Sequence, residues 1–403
     1  MDRTHRYLQS LKPLAMRFGL ERVDRALRAL GRPDRDLAVL HVAGTNGKGS
    51  TCAMAAEALR RAGHRVGLYT SPHLVEFSER IQVDGRAISD AALAGRIEEV
   101  RSACPWHESG DEAEHLTYFE FATLLALLHF ARERVEAAVI EVGLGGRFDA
   151  TNAVTPRVCA VSRIGLDHVQ LLGDNLAAIA REKAGIFKRG VPAVVAHAQP
   201  PEAMEALREE AERRGAPLTV AEPTYPGAVA LQGPHQRGNA ALAAAALRLL
   251  DRSGVRVGEE ALSAGIAEAR WPGRLEEVGG ILLDGAHNPD GAAALSTALE
   301  VLHPGRPVEM VFGVLADKDH LGMLRALAPR VRRLHLAPPD SPRARAPESY
   351  RDLAVSLGYG VDQHPDCASA LACARASAGR KGLVCVAGSL YLVGEARALL
   401  GPR

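Results

Sequence analysis

The sequence predicts an α/β protein of two domains, each organised around a largely parallel sheet. Three observations carry this. The chain has 403 residues, more than one ordinary core encloses. Short β-like apolar runs alternate with longer Ala/Leu/Arg/Glu-rich helical stretches, the pattern of right-handed crossovers. The alternation also restarts after a Pro-Gly turn at 272–273.

In the first series the expected strands are "LAVLHVA" (37–43), "RVGLYT" (65–70), "VEAAVIEVG" (135–143), "RVCAVSRI" (157–164) and "PAVVAHA" (192–198). Between them lie the helical stretches "STCAMAAEALRRAG", "EFATLLALLHFARER" and "DNLAAIAREKAGIFK", the last with Asp174 as its expected N-cap. The second series follows "RWPGRLE" (270–276) with "ILLDGA", "VEMVFGV", "RRLHLA" and "LVCVAGS" as strands. The segment "ARAPESYRDLAVSLGYG" reads as a helix with its own end signal, and "SPRARAP" (341–347) as an exposed Pro-rich loop. The expected division is 1–270, a hinge at 271–275, and a smaller Rossmann-like α/β domain over 276–403. No internal repeat is found.

Composition narrows the function classes. Apolar residues make up 47% and charged residues 24%, enough to bury sizeable cores. Lys plus Arg number 49 against 48 Asp plus Glu, so a net charge of +1 gives no electrostatic argument for nucleic acid or an anionic membrane. The six cysteines form no C-x-x-C pair and several lie in apolar runs, which suits a reducing compartment. The charged start "MDRTHRYLQSLKPLAMRFGLERV" lacks the apolar stretch of a signal peptide, and no run is long enough to span a bilayer. A cytoplasmic enzyme acting on small molecules is the expectation.

"HVAGTNGKGST" (41–51) carries the chemistry. It departs from the usual phosphate-loop spelling, with Val42 where a glycine is wanted and Gly49 between Lys48 and the hydroxyls Ser50 and Thr51. The physical ingredients are nonetheless present: a strand, a tight glycine turn, then a helix, whose backbone N–H groups converge on an anion. Gly44, Gly47 and Gly49 permit close backbone approach, Lys48 can reach outer phosphates, and Ser50 can offer a hydroxyl to Mg²⁺. The alternative is a glycine-rich turn without a ligand. Glu141 ends an apolar strand where such sheets place an acidic metal ligand, though a strand-end carboxylate can simply face water. Ser71, past the strand after the loop's helix, falls at the same carboxyl edge, yet Ser beside Pro is also an ordinary turn residue. Their joint placement at one edge is the argument.

Together with "TSPHLVEFSERIQVDG", "EVGLGGRFDATN", "GLDHVQLLG", "EKAGIFK" and "LDGAHNPDG", the loop resembles the folylpolyglutamate synthase/dihydrofolate synthase family of the Mur ligase superfamily. The resemblance runs from about Phe18 to Leu392, and this superfamily writes its phosphate loop with the inserted glycine. It implies a P-loop-type ATP-binding domain followed by a glutamate-binding one. Asn46, Gly47, Lys48 and Gly49 are then expected on the ATP phosphates, and Ser50, Ser71 and Glu141 around one Mg²⁺. The resemblance gives His168 a second Mg²⁺ and Lys183 a carbamate, which turns a cation into an anionic oxygen ligand. Lys48, His168 and Lys183 are thus the expected catalytic residues. By themselves His168 reads as a polar loop residue and Lys183 as a solvated helix lysine.

The resemblance further implies nucleotide contacts at Asn239, Arg274 and Asp284, and residues near the incoming glutamate at His287 and Ser389. The pterin and folate side is expected at Phe18, Gly19, Leu20, Leu74, Arg80, Phe148 and Asp149, with core packing the alternative for the aromatic and leucine positions. Arg17 stands where some bifunctional members carry an acidic residue, which bears on dihydropteroate. The implied activity is ATP-dependent addition of L-glutamate to the carboxylate of reduced folates and of dihydropteroate, through an acyl phosphate, by a monomer. The alternatives are a peptidoglycan-precursor amino-acid ligase of the same superfamily and a nucleotide-binding ATPase switch.

Overall fold

The structure is a computed structural model that describes residues 3–11, 19–109 and 111–401. Phe18 and Arg17 lie outside the described residues. The chain forms two compact units: residues 1–164, 176–228 and 238–269, and residues 165–175, 229–237 and 270–403.

The first unit contains an eight-stranded sheet. Its strands are β1 (Ala38–Ala43), β2 (Val66–Tyr69), β3 (Ile81–Val83), β4 (Arg86–Ala87), β5 (Ala137–Glu141), β6 (Val158–Val161), β7 (Ala193–Val195) and β8 (Leu218–Val220). They lie in the order β4-β3-β2-β5-β1-β6-β7-β8, parallel except for the β2-β3-β4 edge. The five strands expected in this half are β1, β2, β5, β6 and β7. β1, β2, β5, β6 and β7 are apolar nearly throughout and buried almost without interruption, as strands covered on both faces must be. β3, β4 and β8 have only two or three residues each and include Gln82, Arg86 and Thr219, so they carry no apolar run.

β1 is central, with β5 and β6 on either side, so the chain leaves it at the point where strand order turns both ways. That is where ligands sit in open α/β sheets. The helix after it, Lys48–Arg61, is buried along most of its length. The Glu259–Glu268 helix packs on it so tightly that a Cβ added at Gly265 would collide with the Ala58 backbone. The Tyr118–Arg132 helix opens with a full capping box: Thr117 accepts from Glu120 N while Glu120 accepts from Thr117 N. Arg22 also holds the Glu120 carboxylate, at 2.8 Å. The Leu176–Lys183 helix starts one residue later than an Asp174 cap predicts, directly after Asn175.

The second unit is built on six strands: β9 (Glu276–Val278), β10 (Ile281–Leu283), β11 (Val308–Phe312), β12 (Val331–Leu336), β13 (Gly360–Gln363) and β14 (Leu383–Ala387). Their order is β13-β12-β11-β14-β10-β9, parallel apart from β9, which pairs antiparallel with β10. The four strands expected from sequence are β10, β11, β12 and β14; the edge strands β9 and β13 are mostly polar and carry no apolar run. The helix expected around residue 350 spans Glu348–Ser356. Among the described residues no helix is long and apolar enough to cross a membrane, and all six cysteines are free thiols.

Candidate active site

The phosphate loop starts where β1 ends. Thr45 N and Asn46 N both donate to Arg163 O, at 2.9 and 3.1 Å, which ties the loop to the residues following β6. Gly44 has φ +139° and Gly47 φ +93°, conformations that side chains disfavour. Space forbids side chains there as well: a Cβ at Gly44 would strike the Ser162 hydroxyl, and one at Gly47 the Asn239 amide. Gly47 precedes the Lys48–Arg61 helix and supplies no side-chain cap. Helices starting after Ser89, Thr117, Asn288, Asp319, Asp366 and Ser389 are all capped by those side chains. The loop helix therefore presents its first N–H groups and its dipole to whatever lies at the carboxyl edge of β1. The Ser162 and Thr51 hydroxyls are buried there without a hydrogen-bond partner.

Lys48 folds back over the turn, donating to Gly44 O at 3.1 Å and Thr45 O at 3.2 Å. Its Nζ lies 4.0 Å from Glu141 Oε1. The other Glu141 oxygen accepts from Ser71 N at 3.1 Å. Glu141 and Ser50 are buried. Asn46, Gly47, Lys48, Gly49, Ser50, Ser71, Glu141 and Asn239 thus gather at one sheet edge within the first unit. An anion cradle and one ammonium suit a triphosphate, and one carboxylate with two hydroxyls forms a hard-oxygen set suited to Mg²⁺.

Lys183 is buried at the end of its helix, against the loop that follows β5. A Cβ at Gly146 would come within 2.6 Å of Lys183 O, and Arg147 N donates to Glu182 O at 3.0 Å. "GLGGRFDATN" and "EKAGIFK" therefore pack on each other, with the Asn152 amide bridging Arg147 O and Gly185 O. The solvated-lysine reading does not hold.

The residues expected on the folate side have varied settings. Gly19 has φ +115° and Leu20 precedes the Glu21–Ala29 helix. Leu74 N donates to Glu79. Arg80 is buried, bonds His73 Nδ1 at 2.8 Å, and holds its guanidinium 5.5 Å from the centre of the Tyr118 ring. Phe148 is exposed. Asp149 is buried and spends its oxygens on Leu144 N, Thr151 N and the Thr151 hydroxyl. Burial raises its pKa against the pull of those bonds. The Thr151 hydroxyl also meets His41 Nε2 at 2.8 Å. Full burial, reinforced by the charge of Lys188, lowers the His41 pKa to about 3.

In the second unit His168 adopts a left-handed conformation, φ +52°, beside Asp167. Asp167 is the centre of a cluster that sequence reading overlooks. Lys318 Nζ donates to its Oδ1 at 2.5 Å, the Asn288 amide to its Oδ2 at 3.1 Å, and His287 Nε2 lies 3.5 Å away. Burial opposes ionisation, but the bond from His287 and the charges of His287, Lys318 and His168 hold the carboxyl far below the usual range. His168 Nε2 is 3.3 Å from Lys318 Nζ, so its ring nitrogen faces a cation. The signals were the "GLDH" turn itself and the lysine of "ADKDH", 151 residues away in the chain.

Arg274 donates to Gly273 O. Asp284, at the end of β10, accepts from Leu275 N and Ala286 N, both at 3.0 Å. Ser389 caps the Leu390–Leu400 helix through Tyr391 N. The last two side chains have local backbone duties whatever else they contact.

Two family models match: the Mur ligase middle domain over residues 42–222, and the Mur ligase glutamate ligase domain over residues 273–390. The chain is 35% identical to the dihydrofolate synthase/folylpolyglutamate synthase of Bacillus subtilis (strain 168), covering 94% of this chain and 94% of the relative. The structure of Escherichia coli FolC in complex with DHPP and ADP is 34% identical, with TM-score 0.88 and coverage of 98% of this chain and 97% of that one. A bifunctional folylpolyglutamate synthase/dihydrofolate synthase with Mn, AMPPNP and L-glutamate bound is 33% identical, TM-score 0.88, covering 100% of this chain and 99% of that one. The fold is thus that of an ATP-dependent Mur-type ligase. Within that class the chain belongs to the dihydrofolate synthase/folylpolyglutamate synthase family.

Proposed function

We propose that this chain joins L-glutamate to the carboxylate of reduced folates, and to that of dihydropteroate, at the expense of ATP. The observation that carries this is the gathering of Lys48, Glu141 and Ser71 around an uncapped helix start, in a chain alike along its length to the synthases above. A folate or dihydropteroate carboxylate attacks the γ-phosphorus, ADP leaves, and an acyl phosphate forms. The α-amino group of glutamate adds to the acyl carbon, and phosphate departs as the amide forms.

Carboxylate and triphosphate repel each other, so catalysis depends on neutralising charge and fixing position. Lys48 and the N–H groups of residues 47–50 bear on the phosphates, with Asn46 and Asn239 flanking the turn. Ser50, Ser71 and Glu141 would hold one Mg²⁺, which supplies charge neutralisation between the outer phosphates. Because the Glu141 carboxylate already lies near Lys48, cation binding and lysine repositioning are linked. We assign His168 to a second Mg²⁺, which requires Lys318 to yield its place at Nε2, and Lys183 to carbamylation. Arg274 and Asp284 are assigned to the nucleotide, His287 and Ser389 to glutamate. Residues 1–270 then form the ATP-binding part and 276–403 the glutamate-binding part, and the active form is a monomer in the cytoplasm.

The test is ATP-dependent phosphate release by the purified chain with L-glutamate and either tetrahydrofolate or dihydropteroate. Release that depends on both the pterin acid and glutamate supports the reading. Release without glutamate would point instead to an ATPase switch, and stimulation only by a UDP-sugar peptide to a peptidoglycan-precursor ligase.

A further inference from the structure

A second set of chemistry-bearing side chains lies in the sheet of the second unit, among residues to which no role has been given above. His335 is on β12, His364 directly follows β13, and Cys373 is on the Cys367–Ala378 helix. One ligand atom from each lies within 4.8 Å of the others. We propose that these three residues form a binding site for a divalent transition metal of the zinc type.

The register brings them together. His335 pairs with Asp362 and with Val311, and side chains alternate along strands, so Glu309, His335, Asp362 and His364 share one sheet face. The Cys367–Ala378 helix packs against β11 and β12 and brings Cys373 to that face. His335 is fully buried, an unusual place for an imidazole. Its Nε2 meets Glu309 Oε2 at 3.0 Å. Nε2–H donates to the carboxylate, which leaves the Nδ1 lone pair facing His364 Nε2 at 3.2 Å. Two nitrogens at ~2.0–2.1 Å from a tetrahedral ion stand ~3.4 Å apart, so little movement would seat one between them. A carboxylate behind a ligating histidine is the support that fixes tautomer and raises basicity.

The rival arrangement is a metal-free chain in which His364 Nε2–H donates to His335 Nδ1. It accounts for the histidines but assigns nothing to Cys373, the one cysteine of the six that is not fully buried. Two imidazoles and a thiolate are borderline-soft donors that favour zinc over magnesium. The nearby Arg333 guanidinium is paired with Asp362 at 2.8 Å and lies 3.7 Å from Glu309. Asp362 Oδ2 also lies 3.9 Å from His335 Nδ1, so the fourth metal position falls to this carboxylate or to water.

The experiment uses the full chain, stripped with a chelator and then dialysed against zinc or cobalt(II) in excess Mg²⁺, which occupies the hard-oxygen sites. One retained equivalent of zinc is expected, and a thiolate-to-cobalt charge-transfer band in the cobalt form. Cys373→Ser, at a partly exposed position, should fold normally and lose that band. Glu309→Gln, which touches no metal, should weaken zinc binding about 10–100-fold. Wild-type chain retaining no zinc, or a band and affinity unchanged by Cys373→Ser and His364→Gln, overturns the proposal.

Discussion

The phosphate-loop edge of the first unit and the Asp167 cluster of the second handle buried charge in opposite ways. At the loop edge the positive character comes mostly from backbone: an uncapped helix start and glycines held at φ +139° and +93°. Its one lysine is tethered by carbonyls and stands 4.0 Å from its carboxylate. Around Asp167 the partners are side chains in direct contact, the charged Lys318 at 2.5 Å and the neutral Asn288 amide at 3.1 Å. The first arrangement leaves the opening N–H groups of its helix without a side-chain cap. The second satisfies its own groups and must be opened before any of them meets a ligand. A binding edge leaves its helix start without a side-chain cap, whereas a pre-paired cluster trades that readiness for stability.

Four substitutions test the contrast, in order of expected effect. Lys48→Ala should lower kcat by about 10²–10³-fold, the size of losing one preorganised charge donor, while circular dichroism and melting stay near wild type. Near-normal turnover would remove Lys48 from the chemistry. Asp167→Asn should do the reverse and act first on stability. It leaves the buried Lys318 ammonium without its anion, a loss of about 3–5 kcal/mol measurable by denaturant titration. A change within error would show the cluster to be loosely held. Gly47→Ala introduces a side chain at φ +93° against Asn239. It should cost about 1–2 kcal/mol in strain and weaken ADP binding by calorimetry more than it lowers the melting temperature.

The fourth concerns pH. His41 is buried neutral, with its pKa lowered to about 3 from an unfolded value near 6.5. The unfolded chain therefore takes up a proton that the folded chain refuses. The stability is complete above pH 6.5 and declines as pH falls toward 3, by up to about 1.4 kcal/mol per pH unit. Unfolding curves between pH 7 and 5 should show a shallower decline for His41→Gln. Equal slopes would mean that His41 accepts its proton in place.

What could be read in the sequence follows the same division. The loop edge was legible because its parts are contiguous: strand, glycines, lysine and hydroxyls occupy residues 38–51, and Glu141 ends an uninterrupted apolar strand. The long buried strands announced themselves for the same local reason. The short strands β3, β4, β8, β9 and β13 did not, since polar residues interrupt each of them and leave no apolar run. Asp167 and Lys318 are joined only by the fold. Each by itself is an ordinary loop charge, and no spacing rule links positions 151 residues apart. His168 and Lys183 entered through family resemblance, and burial of Lys183 is something its alanine-rich helix did not disclose. His335 passed as one letter in a strand, because a sheet face is visible only once register is known.

The contact between Gly265 and Ala58 reaches further than its size suggests. A methyl group added at 265 has no free volume to enter and must lever the neighbouring rod aside, and that rod terminates in the anion cradle. Residue 265 need never meet a ligand for such a change to loosen the proposed grip on nucleotide, so on that reading a lesion in plain hydrocarbon packing would present at the bench as a substrate-affinity defect.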